Sequence, residues 1–170
     1  MMINRLKAKN YSILIGRNSL FKLKSEIKSH CPNCNKIAII IDKKIPKKFL
    51  TKIKVILKQY RVSIFFISSS EKIKDYNQVG LIIDKLLKLN FNRSDLIIAA
   101  GGGVLGDMVG FASSIYKRGV NFINLPSTLL AQVDSCIGGK TGVNTKHGKN
   151  LIGSFYNPKV VIVETEFLKS

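Results

Sequence analysis

Asp95-Leu-Ile-Ile-Ala-Ala-Gly-Gly-Gly-Val-Leu-Gly-Asp107 decides how the rest of the chain is read. Residues 95–100 form a short, almost wholly apolar run bounded by glycine, the pattern of a strand covered on both faces. Gly101, Gly103 and Gly106 then satisfy a G-x-G-x-x-G spacing, and residues 108–116 read as a helix. Strand, glycine turn and helix in that order set unpaired N–H groups beside backbone without Cβ atoms, a geometry that accepts a diphosphate. Two features of a dinucleotide fingerprint fail: the turn does not follow the first strand, and no acidic residue follows about 20 residues on. A tight turn that only packs helix on strand accounts for the glycines equally well.

Outward from this stretch, apolar runs of strand length alternate with amphipathic runs of helix length. Residues 11–16, 36–42, 62–67, 120–125 and 159–163 read as further strands. Between them, Asn18 is placed to cap a helix through about Ser29. Pro46 opens a second helix with Phe49, Leu50, Ile53, Ile56 and Leu57 on one face, and Val79, Ile82, Ile83, Leu86 and Leu87 stripe a third. Residues 68–70 read as a loop. The alternation predicts an α/β fold, a Rossmann-like, mostly parallel sheet with helices on both faces, and one domain over residues 1–170.

Composition agrees and removes some alternatives. The chain has 170 residues, 45% of them hydrophobic, so it can build a core. Its net charge of +18 invites a nucleic-acid reading, but five of the 28 basic residues are arginine, and Trp is absent. Arg, with its planar fork, is the usual reader of bases and phosphates. The lysines are read as solvated faces, and nucleic acid is not an expected partner. Residues 96–116 are long and apolar enough to test as a membrane span, but Asp107 and five glycines weaken that reading, so no membrane is expected. Three cysteines and no apolar leader-like run point to a cytoplasmic protein.

A second stretch carries most of the polar chemistry. Leu125-Pro-Ser-Thr-Leu-Leu-Ala-Gln-Val-Asp-Ser-Cys-Ile-Gly-Gly-Lys140 runs into Thr141-Gly-Val-Asn144 and Gly148-Lys-Asn-Leu-Ile-Gly153. Its composition reads as loop. Lys140 and Lys149, each beside glycine, supply charge with close backbone approach, while Thr and Asn supply directed hydrogen bonds. Phosphate binding needs that combination. A basic loop on a solvated surface is the competing reading.

Together these segments resemble 3-dehydroquinate synthase, a sugar phosphate cyclase. The resemblance rests on Gly101-Gly-Gly-Val-Leu-Gly-Asp107, Tyr116-Lys-Arg-Gly-Val120, Leu125-Pro-Ser-Thr-Leu-Leu-Ala-Gln-Val-Asp134, Gly138-Gly-Lys-Thr141 and Gly148-Lys-Asn-Leu-Ile-Gly-Ser-Phe-Tyr-Asn-Pro158. It implies that the chain is the family's N-terminal NAD-binding domain. It also implies conversion of 3-deoxy-D-arabino-heptulosonate 7-phosphate, a small phosphorylated substrate, to 3-dehydroquinate and phosphate in the shikimate pathway, with NAD and a divalent metal, zinc or cobalt. NAD in that family is a returning hydride carrier, regenerated at each turnover.

By matching position, the resemblance implies that Gly103, Val104, Leu105, Gly106 and Asp107 wrap the NAD diphosphate and that Asp42 holds the adenosine ribose. Ser69, Ser70, Glu71 and Lys74 would also contact the cofactor. Ser127, Thr128 and Leu130 would line the nicotinamide side, and Phe167, Leu168, Lys169 and Ser170 would close over the cofactor. Asp134, Lys140, Lys149 and Asn150 would bridge cofactor and substrate, with Arg118 reaching a substrate phosphate across a homodimer interface; Asp134, Lys140, Asn150 and Arg118 are the catalytic set. Ser70 stands where the family usually has glycine, Ser127 where it has threonine and Cys136 where it has serine.

The resemblance implies a metal site of one Glu and two His in a C-terminal helical domain beyond Ser170, so no metal ligand is assigned within the chain and this chain alone is expected to be inactive. His30-Cys31-Pro-Asn-Cys34 offers a lone C-x-x-C, half of a zinc site, and reads as a loop with two free thiols. The alternatives are a related sugar phosphate cyclase, such as 2-deoxy-scyllo-inosose synthase, and a truncated or degenerate NAD-binding protein without catalysis.

Overall fold

In a computed structural model of the chain, which describes residues 3–8 and 10–169, β1 (Asn4–Lys7) and β2 (Ser12–Gly16) lead into α1 (Leu23–His30). Next come β3 (Lys36–Asp42), α2 (Lys47–Ile56), β4 (Arg61–Ile67), α3 (Tyr76–Lys88), β5 (Leu96–Gly101), α4 (Gly103–Ile115) and β6 (Asn121–Pro126). The chain then forms β7 (Lys140–Thr145), β8 (Gly148–Phe155) and β9 (Val160–Glu164). Seven strands make one sheet in the order β1-β2-β9-β6-β5-β3-β4, with every pairing parallel except β1 on β2. β7 and β8 pair separately as an antiparallel hairpin.

The two-residue period of the strands assigns each face its helices. Ile37, Ile39 and Ile41 of β3, with Leu96 and Ile98 of β5, pack with Leu23 and Ile27 of α1 and Phe49 and Ile53 of α2. Ala38, Ile40, Ile97 and Ala99 point the other way, to Val79, Ile82 and Leu86 of α3 and Met108 and Val109 of α4. All these side chains are buried, which is why β3 and β5 read as continuous apolar runs. None of the helices described is long and apolar enough to cross a membrane.

The departures from the predicted elements have local causes. The helix predicted from residue 108 begins at Gly103, because the glycine stretch turns at Gly102 alone (ψ −177) and Gly103 and Gly106 already lie in helical backbone. Asn18 does not cap a helix with its side chain. It sits in the left-handed region (φ 64), a 3-10 turn over Ser19–Lys22 precedes α1, and its Oδ1 accepts from Lys52 Nζ instead. Residues 131–135 form a π-helical turn, and the stretch read as basic loop over residues 140–153 is the β7–β8 hairpin. That hairpin packs on α4 through residues without side-chain bulk: a Cβ on Gly110 would stand 2.5 Å from Thr141 Cγ2.

β3 connects outward to β4 at the sheet edge, whereas β5 returns to the other side of β3. The direction of winding therefore reverses between β3 and β5, and a crevice opens outside their carboxyl ends, where doubly wound sheets bind ligands. Asp42 and Gly101 end those two strands.

Candidate functional site

Two clefts lie on the loops that follow the parallel strands. The first, of about 350 Å³, is lined by Asp42 at the end of β3, Ser69 from beyond β4, Gly102, Gly103 and Val104 from the start of α4, Ser127 and Thr128 from beyond β6, and Phe167 from beyond β9. α4 has no side-chain cap, and its first intrahelical bond runs from Gly106 N to Gly102 O at 3.1 Å. The N–H groups of its first turn are therefore available to an anion, with the positive end of the helix dipole behind them. Across the cleft, Asp42 is buried at the end of β3. Its Oδ1 accepts from Lys44 N (2.8 Å) and its Oδ2 from Ser69 Oγ, so the carboxylate is held in one orientation. A fixed carboxylate facing bare backbone amides suits a ligand carrying hydroxyls at one end and phosphates at the other, which is the demand of a dinucleotide.

The second cleft, of about 540 Å³, is lined by Asp107, Asp134, Ser135, Lys140, Asn150 and Phe155, among others. Here α4, the π-turn and the hairpin meet. Lys74 joins the cleft wall to the rest of the molecule: its ammonium is buried, donating to Asp107 Oδ2 (2.6 Å) and to Asn150 Oδ1 (2.6 Å). Desolvation holds the Asp107 carboxyl above the usual carboxylate range, opposed by the hydrogen bond and charge of Lys74. Lys140 and Asp134 are exposed, one on the hairpin and one on the π-turn, so an anion and a hydroxyl could be met from opposite sides of the cleft.

The residues assigned by resemblance distribute unevenly. Asp42, Ser69, Gly103, Val104, Ser127, Thr128 and Phe167 share the first cleft, and Asp107, Asp134, Lys140 and Asn150 share the second. Glu71 and Lys74 lie between β4 and α3 and reach the hairpin through Asn144 and Asn150. Leu105 is wholly buried in the core, so its side chain is turned away from both clefts. Ser70, Leu130, Lys149, Leu168 and Lys169 are exposed and line neither cleft. Ser170 lies outside the described residues. Arg118, in the turn before β6, stands at the opposite end of that strand from Ser127 and lines neither cleft.

Sequence reasoning left two participants without a role. Lys44 orients Asp42 through its backbone N–H, which no side-chain pattern signals. Asn144 belongs to the polar cluster recognised in the sequence, but nothing in its spacing ties it to Glu71, 73 residues away.

The sequence model of the family 3-dehydroquinate synthase N-terminal matches residues 64–170. The chain belongs to the 3-dehydroquinate synthase family. It is 50% identical over 163 residues to the 3-dehydroquinate synthase of Pelagibacter ubique, covering 96% of this chain and 44% of that protein. Among solved structures, 2-deoxy-scyllo-inosose synthase complexed with carbaglucose-6-phosphate, NAD+ and Co2+ superposes with a TM-score of 0.88 at 27% identity, over 99% of this chain and 46% of that one. 2-epi-5-epi-valiolone synthase from Streptomyces hygroscopicus, with NAD+ and Zn2+ bound, gives 0.80 at 25% identity, over 98% and 46%. The chain thus spans less than half the length of the relatives it matches. Among its described residues, no group of three or more His, Cys, Asp or Glu is placed to hold a metal, so the residues present do not fit the metal of those synthases. Cys31 and Cys34 are buried, and desolvation pushes their thiols up to about 11 and about 12, which opposes the thiolate a metal would require.

Proposed function

We propose that the chain, as one NAD-binding α/β domain, supplies the cofactor half of a 3-dehydroquinate synthase. That enzyme is the carbon–oxygen lyase that converts 3-deoxy-D-arabino-heptulosonate 7-phosphate to 3-dehydroquinate and phosphate. The observation that carries this reading is the first cleft: bare amides at the start of α4 face a carboxylate fixed by Ser69 and Lys44. Bound NAD would supply a reversible hydride acceptor next to the second cleft. The α4 amides hold the diphosphate, Asp42 accepts from ribose hydroxyls, and Ser127 and Thr128 bound the far side. In the second cleft Lys140 neutralises substrate phosphate, and Asn150 and Asp134 orient its hydroxyls.

The metal ligands belong outside the described residues, so the 170 residues by themselves bind NAD+ and do not eliminate phosphate. Arg118, remote from both clefts of its own chain, serves a second copy in a homodimer. The setting is the cytoplasm. A 2-deoxy-scyllo-inosose synthase activity ranks below this one, because identity falls from 50% to 27% between the two kinds of relative.

Calorimetric titration of the chain with NAD+ tests the reading. Saturable binding is expected, together with thermal stabilisation of about 2.7 kcal/mol at a hundredfold excess over Kd. Asp42→Ala is expected to weaken binding by about tenfold or more, through loss of a charge-assisted hydrogen bond. A wild-type chain that gives neither heat nor stabilisation overturns it.

A further inference from the structure

Asn144 engages its backbone N–H and both ends of its side-chain amide. The N–H donates to the Lys74 carbonyl (2.7 Å), Nδ2 donates to Glu71 Oε1 (2.8 Å), and Oδ1 accepts from the Asn150 N–H (3.0 Å). Lys74 Nζ then donates to Asn150 Oδ1 (2.6 Å), so Lys74, Asn144 and Asn150 close a ring of hydrogen bonds. The ring is welded to α4 where the same ammonium meets Asp107 (2.6 Å). Asn150 sits in this ring in left-handed backbone (φ 55), a conformation that asparagine tolerates better than other residues with side chains.

We propose that Asn144 is a positioning residue, fixing Asn150 on the wall of the second cleft and the Glu71–Lys74 segment beside it. The two ends of its amide are not interchangeable. Turned over, it would set N–H against the Asn150 N–H and an oxygen against the Glu71 carboxylate. A carboxylate in place of the amide keeps the acceptor for Asn150 but opposes Glu71 with like charge. The consequence for ligand binding rests on the NAD reading above; the ring itself does not.

The test uses the whole chain with two readouts, amide hydrogen exchange and titration with NAD+. In Asn144→Leu the Asn150 amide is expected to exchange about tenfold faster or more, the worth of a strong hydrogen bond, with Ile39 and Ile98 in the central strands unchanged. NAD+ affinity is expected to fall by a similar factor of about ten, through the freed Glu71–Lys74 segment, whose two end residues contact the cofactor on the reading above. Asn144→Asp is expected to do the same, and adding Glu71→Gln, which restores a donor opposite the new carboxylate, returns affinity to that of Glu71→Gln alone. Exchange at Asn150 within about twofold of wild type overturns the proposal, as does equal acceleration at Ile39 and Ile98, the mark of a merely structural role. Failure of the double substitution to rescue overturns it too. Should Asn144→Leu not fold, the Asp variant and its rescue decide. A wild-type chain that does not bind NAD+ overturns the functional reading instead, and the exchange arm still decides the role of Asn144.

Discussion

Lys74 Nζ lies 2.6 Å from Asp107 Oδ2, and the lysine side chain is only 5% exposed against 21% for the aspartate. Such a pair is costly to assemble and costlier to break, because removing one partner strands the other charge. Lys74→Met is therefore expected to lower stability by about 3 kcal/mol in urea denaturation, the low end for a broken buried pair because Asp107 is partly exposed. Adding Asp107→Asn should recover part of that loss. The pH dependence has a definite sign. Burial raises the folded Asp107 pKa above its ordinary value, so the carboxylate's contribution is most favourable at low pH and is lost as pH rises through the folded pKa. The deficit of Lys74→Met is then full at neutral pH and shrinks on acidification through that raised value. A deficit independent of pH between neutrality and the acid range would contradict the ion-pair account.

The hairpin is held by close backbone approach, which makes one of its glycines intolerant of a single methyl. A Cβ on Gly153 would overlap the Thr141 carbonyl oxygen and come within 2.8 Å of Gly142 Cα, both backbone atoms with no freedom to rotate aside. Gly153→Ala is expected to destabilise by about 1–3 kcal/mol. Gly80 is the contrast. It lies exposed in α3 with nothing within 4 Å of its Cβ position, so Gly80→Ala should stabilise by about 0.4–1 kcal/mol. Denaturant midpoints of the two variants should move in opposite directions.

That same backbone contact explains which parts of the molecule the sequence announces. β3 and β5 bury both faces, so Lys36–Asp42 and Leu96–Gly101 read as apolar runs with ends within a residue of the predicted ones. β7 and β8 pack through Gly110, Gly142 and Gly153 and leave Leu151, Ile152 and Phe155 exposed, so no alternation marks them as strands. In the first cleft the glycine turn after β5 and Asp42 at the end of β3 stand where the strand pattern marks an end, whereas Ser69, Ser127, Thr128 and Phe167 follow strands at a distance of two residues or more and are placed only by likeness to relatives. In the second, the basic, glycine-flanked segment around Lys140 was legible as phosphate chemistry, but the part played by Lys74 was not, since its bonds to Asp107 and Asn150 span 33 and 76 residues that no local spacing encodes.

Cys31, Cys34 and Cys136 are all free and buried. Desolvation pushes their thiols up to about 11, about 12 and about 11, from an ordinary 9.0. At pH 8 the native protein should resist alkylation at all three, and unfolding in urea should release all three together, read by mass. Because each pKa is raised on folding, the protonated thiols contribute stability that is complete below pH 9 and lost as pH rises through about 11–12. Rapid labelling of the native protein at Cys31 or Cys34 would mean that the C-x-x-C segment opens on its own.

Arg118 joins an exposed guanidinium to backbone that resists it. Lys117 (φ 48), Arg118 (φ 61) and Gly119 (φ 114) are three consecutive residues of positive φ. The turn is closed by Gly119 N donating to Tyr116 O (2.9 Å) and by Arg93 Nε donating to Gly119 O (3.2 Å). Left-handed backbone costs a side-chain-bearing residue about 1–2 kcal/mol, and glycine escapes that cost. Arg118→Gly is therefore expected to raise stability by about 0.5–1 kcal/mol after the added chain entropy of glycine is counted. If Arg118 also serves phosphate in a second copy of the chain, the same variant should lose affinity for a phosphorylated substrate analogue in the dimer while NAD+ affinity stays as in the wild type. A more stable variant with unchanged phosphate affinity would leave the turn strained for reasons other than presenting Arg118. A less stable one would show that the guanidinium, and not the backbone, holds the turn.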